Sequence, residues 1–194
     1  MRIYLLLSFL LIAFNMSTAQ INDEHLNVGE TAPLIQGTDQ NGKQINSESV
    51  LKDHKILLIF YRGNWCPYCR KHLKDLQDNL EALRAKGYFV LVVSPEKVEK
   101  TEETAKMFNV GFSILHDSDN RIMNDYKVAF EVNKENVPAY FNATRKVIAE
   151  YNEAYNNVLP VPATYIIGKD GKIAFVHYDP DYTKRFDIEK LLAM

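Results

Sequence analysis

The chain has 194 residues, 25% of them charged and 46% hydrophobic, with a formal net charge of -2. That near-neutral balance provides no basic surface for nucleic acid and no field for a charged polymer, so neither is expected as a partner. No internal repeat or low-complexity tract breaks it up, and the length suits one domain with a sizeable core.

The first element is a leader. Arg2 supplies a positive charge, Ile3 to Phe14 is apolar except for Ser8, and Ser17-Thr18-Ala19 gives small residues before Gln20. This is the pattern of a secretory signal peptide over residues 1–19. An apolar run of about a dozen residues is too short for an ordinary membrane span. The mature protein is therefore expected outside the cytoplasmic membrane, periplasmic or secreted, with no stable span after signal removal. Residues 20–27 read as a loose polar leader and residues 28–194 as the folded domain.

Asp39-Gln40-Asn41-Gly42 is a turn signal between two short extended pieces, and a brief capped helix follows at Ser47-Glu48-Ser49. Ile56 to Tyr61 is a continuous apolar run, read as a buried central strand. From Pro67, Leu73, Leu76, Leu80 and Leu83 recur at helical spacing, and Gly87 closes that helix. Tyr88 to Val93 reads as a second buried strand, Lys97 to Phe108 as a polar helix, and Phe112 to Leu115 as a third strand. Asp117-Ser118-Asp119 turns the chain and caps a helix through Tyr126. Thr164–Ile167 and Lys172–His177 flank Gly168-Lys169-Asp170-Gly171 as a hairpin, and a last helix runs from Asp187 to Leu192. The order predicts a mixed α/β sheet with helices on both faces.

Trp65-Cys66-Pro67-Tyr68-Cys69 holds the only two cysteines of the chain, as C-x-x-C between the central strand and its helix. Free N–H groups and the dipole at a helix start stabilise a thiolate there. A single pair cannot complete a four-ligand zinc site. A structural disulfide over so short a loop restrains little chain entropy. Dithiol–disulfide redox chemistry is the expectation, with no metal, flavin or nucleotide cofactor implied.

Together with Val28-Gly29-Glu30-Thr31-Ala32-Pro33, Val90-Leu91-Val92-Val93-Ser94, Leu115 to Asp119 followed by Tyr126-Lys127-Val128, and Val161 to Ile167, these features resemble the thioredoxin-fold superfamily. The closer resemblance is to its peroxiredoxin-like branch, the alkyl hydroperoxide reductase / thiol-specific antioxidant family. It covers Val28 to Leu192. It implies a thioredoxin-like fold with a central mixed sheet, helices on both faces and an N-terminal β-hairpin extension.

The resemblance supports two conflicting overlays. The peroxiredoxin pattern P-x-x-x-T/S-x-x-C places Cys69 at the attacking position, Cys66 where Thr or Ser belongs, and Arg62 where Pro belongs. The thioredoxin overlay makes Cys66 the nucleophile and Cys69 the resolving thiol. Peroxiredoxins also carry an Arg before the strand beside the thiolate, where this chain reads Leu159-Pro160-Val161-Pro162. Pro162 resembles the cis-proline that shapes a thioredoxin substrate groove.

The expectation is therefore an exported thiol-dependent oxidoreductase performing thiol–disulfide exchange with a disulfide client protein. The alternative is a thioredoxin-dependent peroxidase taking hydrogen peroxide or alkyl hydroperoxides, and an external thiol donor resets either. A non-catalytic module holding a partner in the groove is a further alternative. Cys66 is the expected attacking thiolate and Cys69 the resolving thiol. Trp65 is expected to cover the disulfide, Pro67 to keep Cys66 at the helix cap, Tyr68 to tune the potential and Arg62 to favour the thiolate. Pro162 would shape the groove and Glu96 carry a proton for the buried thiol. Arg70 and His72 are expected on the solvated helix face. Phe130 to Leu159 reads as an insertion, either lining the groove or packing as a surface helix.

Overall fold

A computed structural model describes residues 24–134, 141–153 and 157–194. In chain order the elements are β1 (Gln36–Thr38), β2 (Gln44–Asn46), α1 (Ser47–Val50), β3 (Lys55–Phe60), α2 (Pro67–Asp78), α3 (Leu80–Ala85), β4 (Tyr88–Ser94) and α4 (Val98–Phe108). They continue as β5 (Ser113–His116), α5 (Arg121–Asp125), β6 (Ala129–Glu131), α6 (Phe141–Tyr151), β7 (Val158–Pro160), β8 (Ala163–Ile167), β9 (Ile173–Tyr178) and α7 (Ile188–Ala193).

The main sheet has the order β5-β4-β3-β8-β9. β3 lies at its centre, parallel to β4 with Leu57 beside Val90, and antiparallel to β8 with Leu58 beside Tyr165. Side chains alternate across a strand, so β3 feeds two cores. Ile56, Leu58 and Phe60 pack with Leu91, Val93 and Tyr165 and with Ile122 and Met123 of α5. Leu57 and Ile59 pack with Leu73 and Leu76 of α2, Leu83 of α3, and Ile188 and Leu191 of α7. Burial on both faces is why the β3 sequence is uniformly apolar. The mixed sheet between helices and the β1–β2 hairpin match the expected architecture.

The helix expected from Pro67 to Gly87 is divided at Asn79, whose backbone is non-helical. Asn79 Nδ2 donates to the Asp75 carbonyl at 2.9 Å, a side-chain bond that competes with the helical ladder. Residues 24–27 depart from the loose leader expected over 20–27. Leu26 is buried in the core, His25 stacks on Tyr178 with ring centres 4.7 Å apart, and Glu24 pairs with Lys127 at 2.5 Å. The cause lies just downstream: Gly29 N–H donates to the Ile173 carbonyl and Ile173 N–H to the Glu30 carbonyl, at 2.8 and 2.9 Å. This lays the segment along the β8–β9 end. The expected signal peptide, residues 1–19, lies outside the described residues. Among the described residues, no helix is long and apolar enough to cross a membrane.

The insertion forms its own small unit. β6 and β7 pair antiparallel, and Val132, Ile148 and Leu159 make a third core against which Trp65 packs. The C-terminal end of α6 is stitched to the segment after β4: Lys97 N–H donates to the Tyr151 carbonyl at 2.8 Å, and Glu96 bridges Asn152. α6 is therefore a packed helix that also reaches the dithiol region through Trp65. Tyr140 and Tyr155 lie outside the described residues.

Candidate active site

β3 runs out at Phe60 and the chain turns through Tyr61–Trp65 before α2 begins at Pro67. Gly63 makes this turn with φ of +143°, a backbone state that favours glycine. A Cβ there would lie 2.3 Å from Trp65 Nε1 and 3.0 Å from Glu96 Oε1. Glu96 supports the turn from below. It is fully buried, accepts the Asn64 N–H at 2.8 Å and the Tyr61 hydroxyl at 2.6 Å, and takes a longer bond from Ser94 Oγ at 3.3 Å. Burial raises its carboxyl above the usual range, opposed by the bonds from Tyr61 and Asn64.

Cys66 is the N-cap of α2 with an extended backbone, and Pro67 follows in the first turn. Pro67 thus sits where a missing N–H costs nothing, as expected. Both thiols are free and enclosed, Cys66 at 2% exposure and Cys69 at 0%. Their environments differ. The Cys69 thiol donates toward the Cys66 sulfur and lowers its pKa to about 6, against the opposing effect of burial; the Cys69 backbone N–H and the charges of Arg62 and Arg185 assist. Cys69 is pushed well above the ordinary thiol range, first by burial and then by its bond and charge interaction with Cys66. The pair thus holds one negative charge, on Cys66, shared through the Cys69 proton.

Two guanidinium groups enclose the pair. Arg62 is buried, with its guanidinium 5.0 Å from the Trp65 ring centre and 4.6 Å from that of Tyr182. Arg185 Nη2 donates to Cys69 Sγ at 3.3 Å, and its Nη1 to the Tyr182 and Lys184 carbonyls, each at 2.6 Å. Sequence reasoning missed Arg185 and Tyr182. No spacing rule links them to a cysteine so distant in the chain. The usable signal was indirect: α7 packs on the α2 face of the sheet, so the connection from β9 has to pass the start of α2.

His72 is buried beside this arrangement, contrary to its expected exposure. Cys69, His72, Leu73 and Leu76 form the inward stripe of α2, so helical periodicity puts His72 on the core face. Burial, then the Arg185 charge, lowers its pKa to about 4 and keeps the ring neutral. Its Nε2, like that of His177 on β9, is buried without a hydrogen-bond partner.

Trp65 is partly buried and packs against the hydrophobic cluster that contains Cys66 and Cys69. Tyr68 is exposed and meets Tyr182 edge-on at 5.9 Å. Arg70 is exposed, as expected. Glu96 is bonded to the turn, and no hydrogen bond joins it to either sulfur. Pro162 is buried just before Ala163, the partner of Phe60. The expected cis bond is not formed: the Val161–Pro162 peptide is trans. Val161 N–H donates to the Val128 carbonyl at 2.7 Å in the link between β7 and β8. Among the described residues, no group of three or more His, Cys, Asp or Glu side chains is placed to hold a metal ion.

The family model described as "AhpC/TSA family" matches residues 28–176. Peroxiredoxin Bcp of Escherichia coli (strain K12) is 30% identical over 103 residues, covering 53% of this chain and 65% of that protein. Chloroplastic peroxiredoxin Q of Sedum lineare is 25% identical over 162 residues, covering 84% and 72%. The match to the bacterial relative thus spans just under two thirds of that protein's length. Among solved structures, peroxidoxin BcpB of Mycobacterium tuberculosis superimposes with a TM-score of 0.67 at 18% identity, covering 87% of this chain and 96% of that one. Reduced 2-Cys peroxiredoxin of Plasmodium vivax gives 0.66 at 16% identity, covering 86% and 92%. The fold is accordingly the thioredoxin-like fold of peroxiredoxins.

Proposed function

The chain belongs to the AhpC/TSA family, and from that premise we propose that it is a thiol-dependent peroxidase in which Cys66 attacks a hydroperoxide and Cys69 resolves the product. The observation that carries this reading is the seat of Cys66: the N-cap of α2, only 2% exposed, beside a Cys69 thiol that favours its thiolate. A hydroperoxide is small enough to reach such a sulfur, whereas a protein disulfide has to lay its own backbone against it. The names of the relatives point the same way.

Thiol–disulfide exchange, favoured on sequence, rested on two expectations. One was a cis-proline groove at Pro162, where the peptide is trans. The other was the absence of the Thr hydroxyl and of the Arg before the strand, two donors that serve peroxide transfer; the charges of Arg62 and Arg185 both favour the Cys66 thiolate. In this reading the Cys66 thiolate attacks the terminal oxygen of the peroxide. The O–O bond breaks, Cys66 becomes a sulfenic acid, and the alkoxide leaves and takes a proton from solvent. Arg62 Nε and Trp65 Nε1 are buried donors without partners. They are the groups available to hold the peroxide oxygens, in place of the missing Thr hydroxyl and strand Arg. Cys69 then forms the Cys66–Cys69 disulfide with loss of water, and an external thiol donor reduces it. The apolar run Ile3–Phe14 behind Arg2 supports an exported setting for this chemistry.

Peroxide consumption under a small dithiol reductant tests the reading, comparing the unaltered protein with Cys66→Ser and Cys69→Ser. Loss of the fast reaction in Cys66→Ser, with one stoichiometric reaction retained in Cys69→Ser, supports it. Fast reaction surviving in Cys66→Ser reassigns the attack to Cys69. Slow, free-thiol-like reaction of the unaltered protein rejects peroxide as substrate.

A further inference from the structure

The dithiol stands at the carboxyl end of β3. The opposite end of the sheet carries a recess that no step of the thiol chemistry uses. β5 joins β4 at Leu91, beside Ser113, so Tyr88–Val90 overhang the start of β5. The notch beside this overhang is closed by α3, by the approach of Gly111–Ser113 to β5 and by Lys43 from the β1–β2 turn, and it encloses about 340 Å³. Cavities of roughly 300 Å³ and above are of the size that holds small organic ligands.

The recess has an apolar floor and a cationic rim. Leu80, Tyr88, Val90 and Phe112 line it and are buried. Lys43, His54 and Arg84 stand exposed around it, and among the described residues no Asp or Glu lines it. Lys43 Nζ lies 5.7 Å from the Phe89 ring centre, and Lys55 Nζ 4.2 Å from that of Tyr88, so both cations gather at aromatic faces at this end of β4. Of the acids bonded to lining residues, Glu81 lies on the solvent side of Arg84, and Asp39 is buried behind Ser113, whose hydroxyl it accepts at 2.8 Å.

The walls are fixed in place. Arg84 donates through Nη2 to the Gly111 carbonyl and through Nη1 to Glu81 at 2.7 Å. Gly111 N–H donates to Gln77 Oε1 at 2.7 Å, and a Cβ on Gly111 would lie 2.8 Å from Leu80 Cδ2, so the loop rests directly on α3. Gln40 donates to the Phe112 carbonyl at 3.0 Å and accepts the Ile114 N–H at 2.7 Å. A ligand therefore meets a preformed site and orders little on binding.

We propose that this recess binds a small aromatic anion. The flat ring lies on the floor formed by Leu80, Tyr88, Val90 and Phe112, and its carboxylate, sulfonate or phosphate group sits between Arg84 and Lys43. An apolar floor alone accepts any neutral ring, and cations alone accept any anion. The two together select a molecule that carries both. The site stands whichever cysteine attacks and whatever its substrate.

Isothermal titration calorimetry of the protein with naphthoate tests this. One site per chain is expected, with affinity falling as salt rises. Inorganic phosphate, which lacks the ring, and naphthamide, which lacks the charge, are each expected to bind about tenfold or more weakly. Arg84→Gln and Lys43→Glu are each expected to weaken naphthoate by about tenfold. Lys43 is exposed, so Lys43→Glu reports on binding even where Arg84→Gln loosens the Gly111 segment. Amide resonances of Phe89, Gly111 and Phe112 shift on titration, and those of Cys66 and Cys69 stay put.

Phosphate binding as tightly as naphthoate leaves only an anion patch, and naphthamide doing so leaves only an apolar pocket; either result overturns the proposal. So does naphthoate affinity unchanged in both variants, a set of shifts centred on the dithiol, or no binding at millimolar naphthoate.

Discussion

Glu96 Oε1 lies 2.8 Å from the backbone nitrogen of Asn64, so a carboxylate just past the end of β4 carries the turn that presents Cys66. Its other oxygen accepts the Tyr61 hydroxyl at 2.6 Å. Replacing Glu96 by Ala strands both donors in a dry site and is expected to cost roughly 2–4 kcal/mol in urea unfolding. Glu96→Gln keeps an acceptor for Asn64 and costs less. Because burial raises the Glu96 carboxyl in the folded state, the unfolded chain releases that proton first. Stability from this group is thus greatest in acid and falls as pH rises through the folded-state pKa. Glu96→Gln removes that part of the pH dependence.

The dithiol pair offers a direct titration. Thiolate absorbance of the reduced protein is expected to rise with a midpoint near the Cys66 value of about 6, with a second thiol appearing only well into alkali. Cys69→Ala removes the bond that most favours the Cys66 thiolate, so the midpoint moves up toward the ordinary thiol range. Cys69→Ser, which keeps a donor, moves it less. A depressed thiol pKa stabilises the fold of the reduced protein above the unfolded thiol's pKa, and that contribution is lost as pH falls through about 6. A Cys69→Ala midpoint equal to that of the unaltered protein rules out the Cys69 bond as the cause.

Gly63 is where the turn tolerates no side chain. Its φ of +143° and the 2.3 Å approach of a Cβ to Trp65 Nε1 combine in Gly63→Ala. We expect destabilisation of roughly 1–3 kcal/mol and displacement of Trp65. The readouts are the unfolding midpoint and the Trp65 emission maximum, which shifts to longer wavelength as the ring gains solvent. Peroxide attack falls by about tenfold, because the turn also positions Arg62.

His72 provides an opposite pH signature to Glu96. Its folded-state value of about 4 lies below the ordinary 6.5 because the ring is buried, so the unfolded chain binds the proton first. The stability it contributes is complete above pH 6.5 and is lost as pH falls toward about 4, by roughly 3 kcal/mol in total. His72→Leu fits the inward stripe of α2 and flattens stability across that window. Denaturant titrations at several pH values compare the slopes directly.

The strand before the dithiol, the helix after it and the placing of Cys66 at the cap follow from local chemistry. An unbroken apolar run, a Pro in the first helical turn and leucines at helical spacing specify them without reference to distant residues. His72 belonged to that legible set, since it shares a face with Cys69 and Leu76. Asn79 shows the limit of periodicity: the apolar spacing continues through it while its backbone leaves the helical region and its side-chain amide shares the Asp75 carbonyl with its own N–H. Glu96 was legible as a polar residue at a strand end, but whether it met a sulfur or a backbone N–H depended on how the turn folded over it.

What the sequence alone determined is therefore the buried central strand, the dithiol at its carboxyl end and the residue types available for redox chemistry. Only the tertiary structure decided which charges surround that dithiol. Arg185 lies 116 positions from Cys69 and arrives because α7 seats its apolar face on the α2 side of the sheet, drawing the intervening loop over the thiols. Hydrophobic periodicity records which face of an element is buried. It does not record which distant loop closes over that element's end, because that follows from the packing of whole helices.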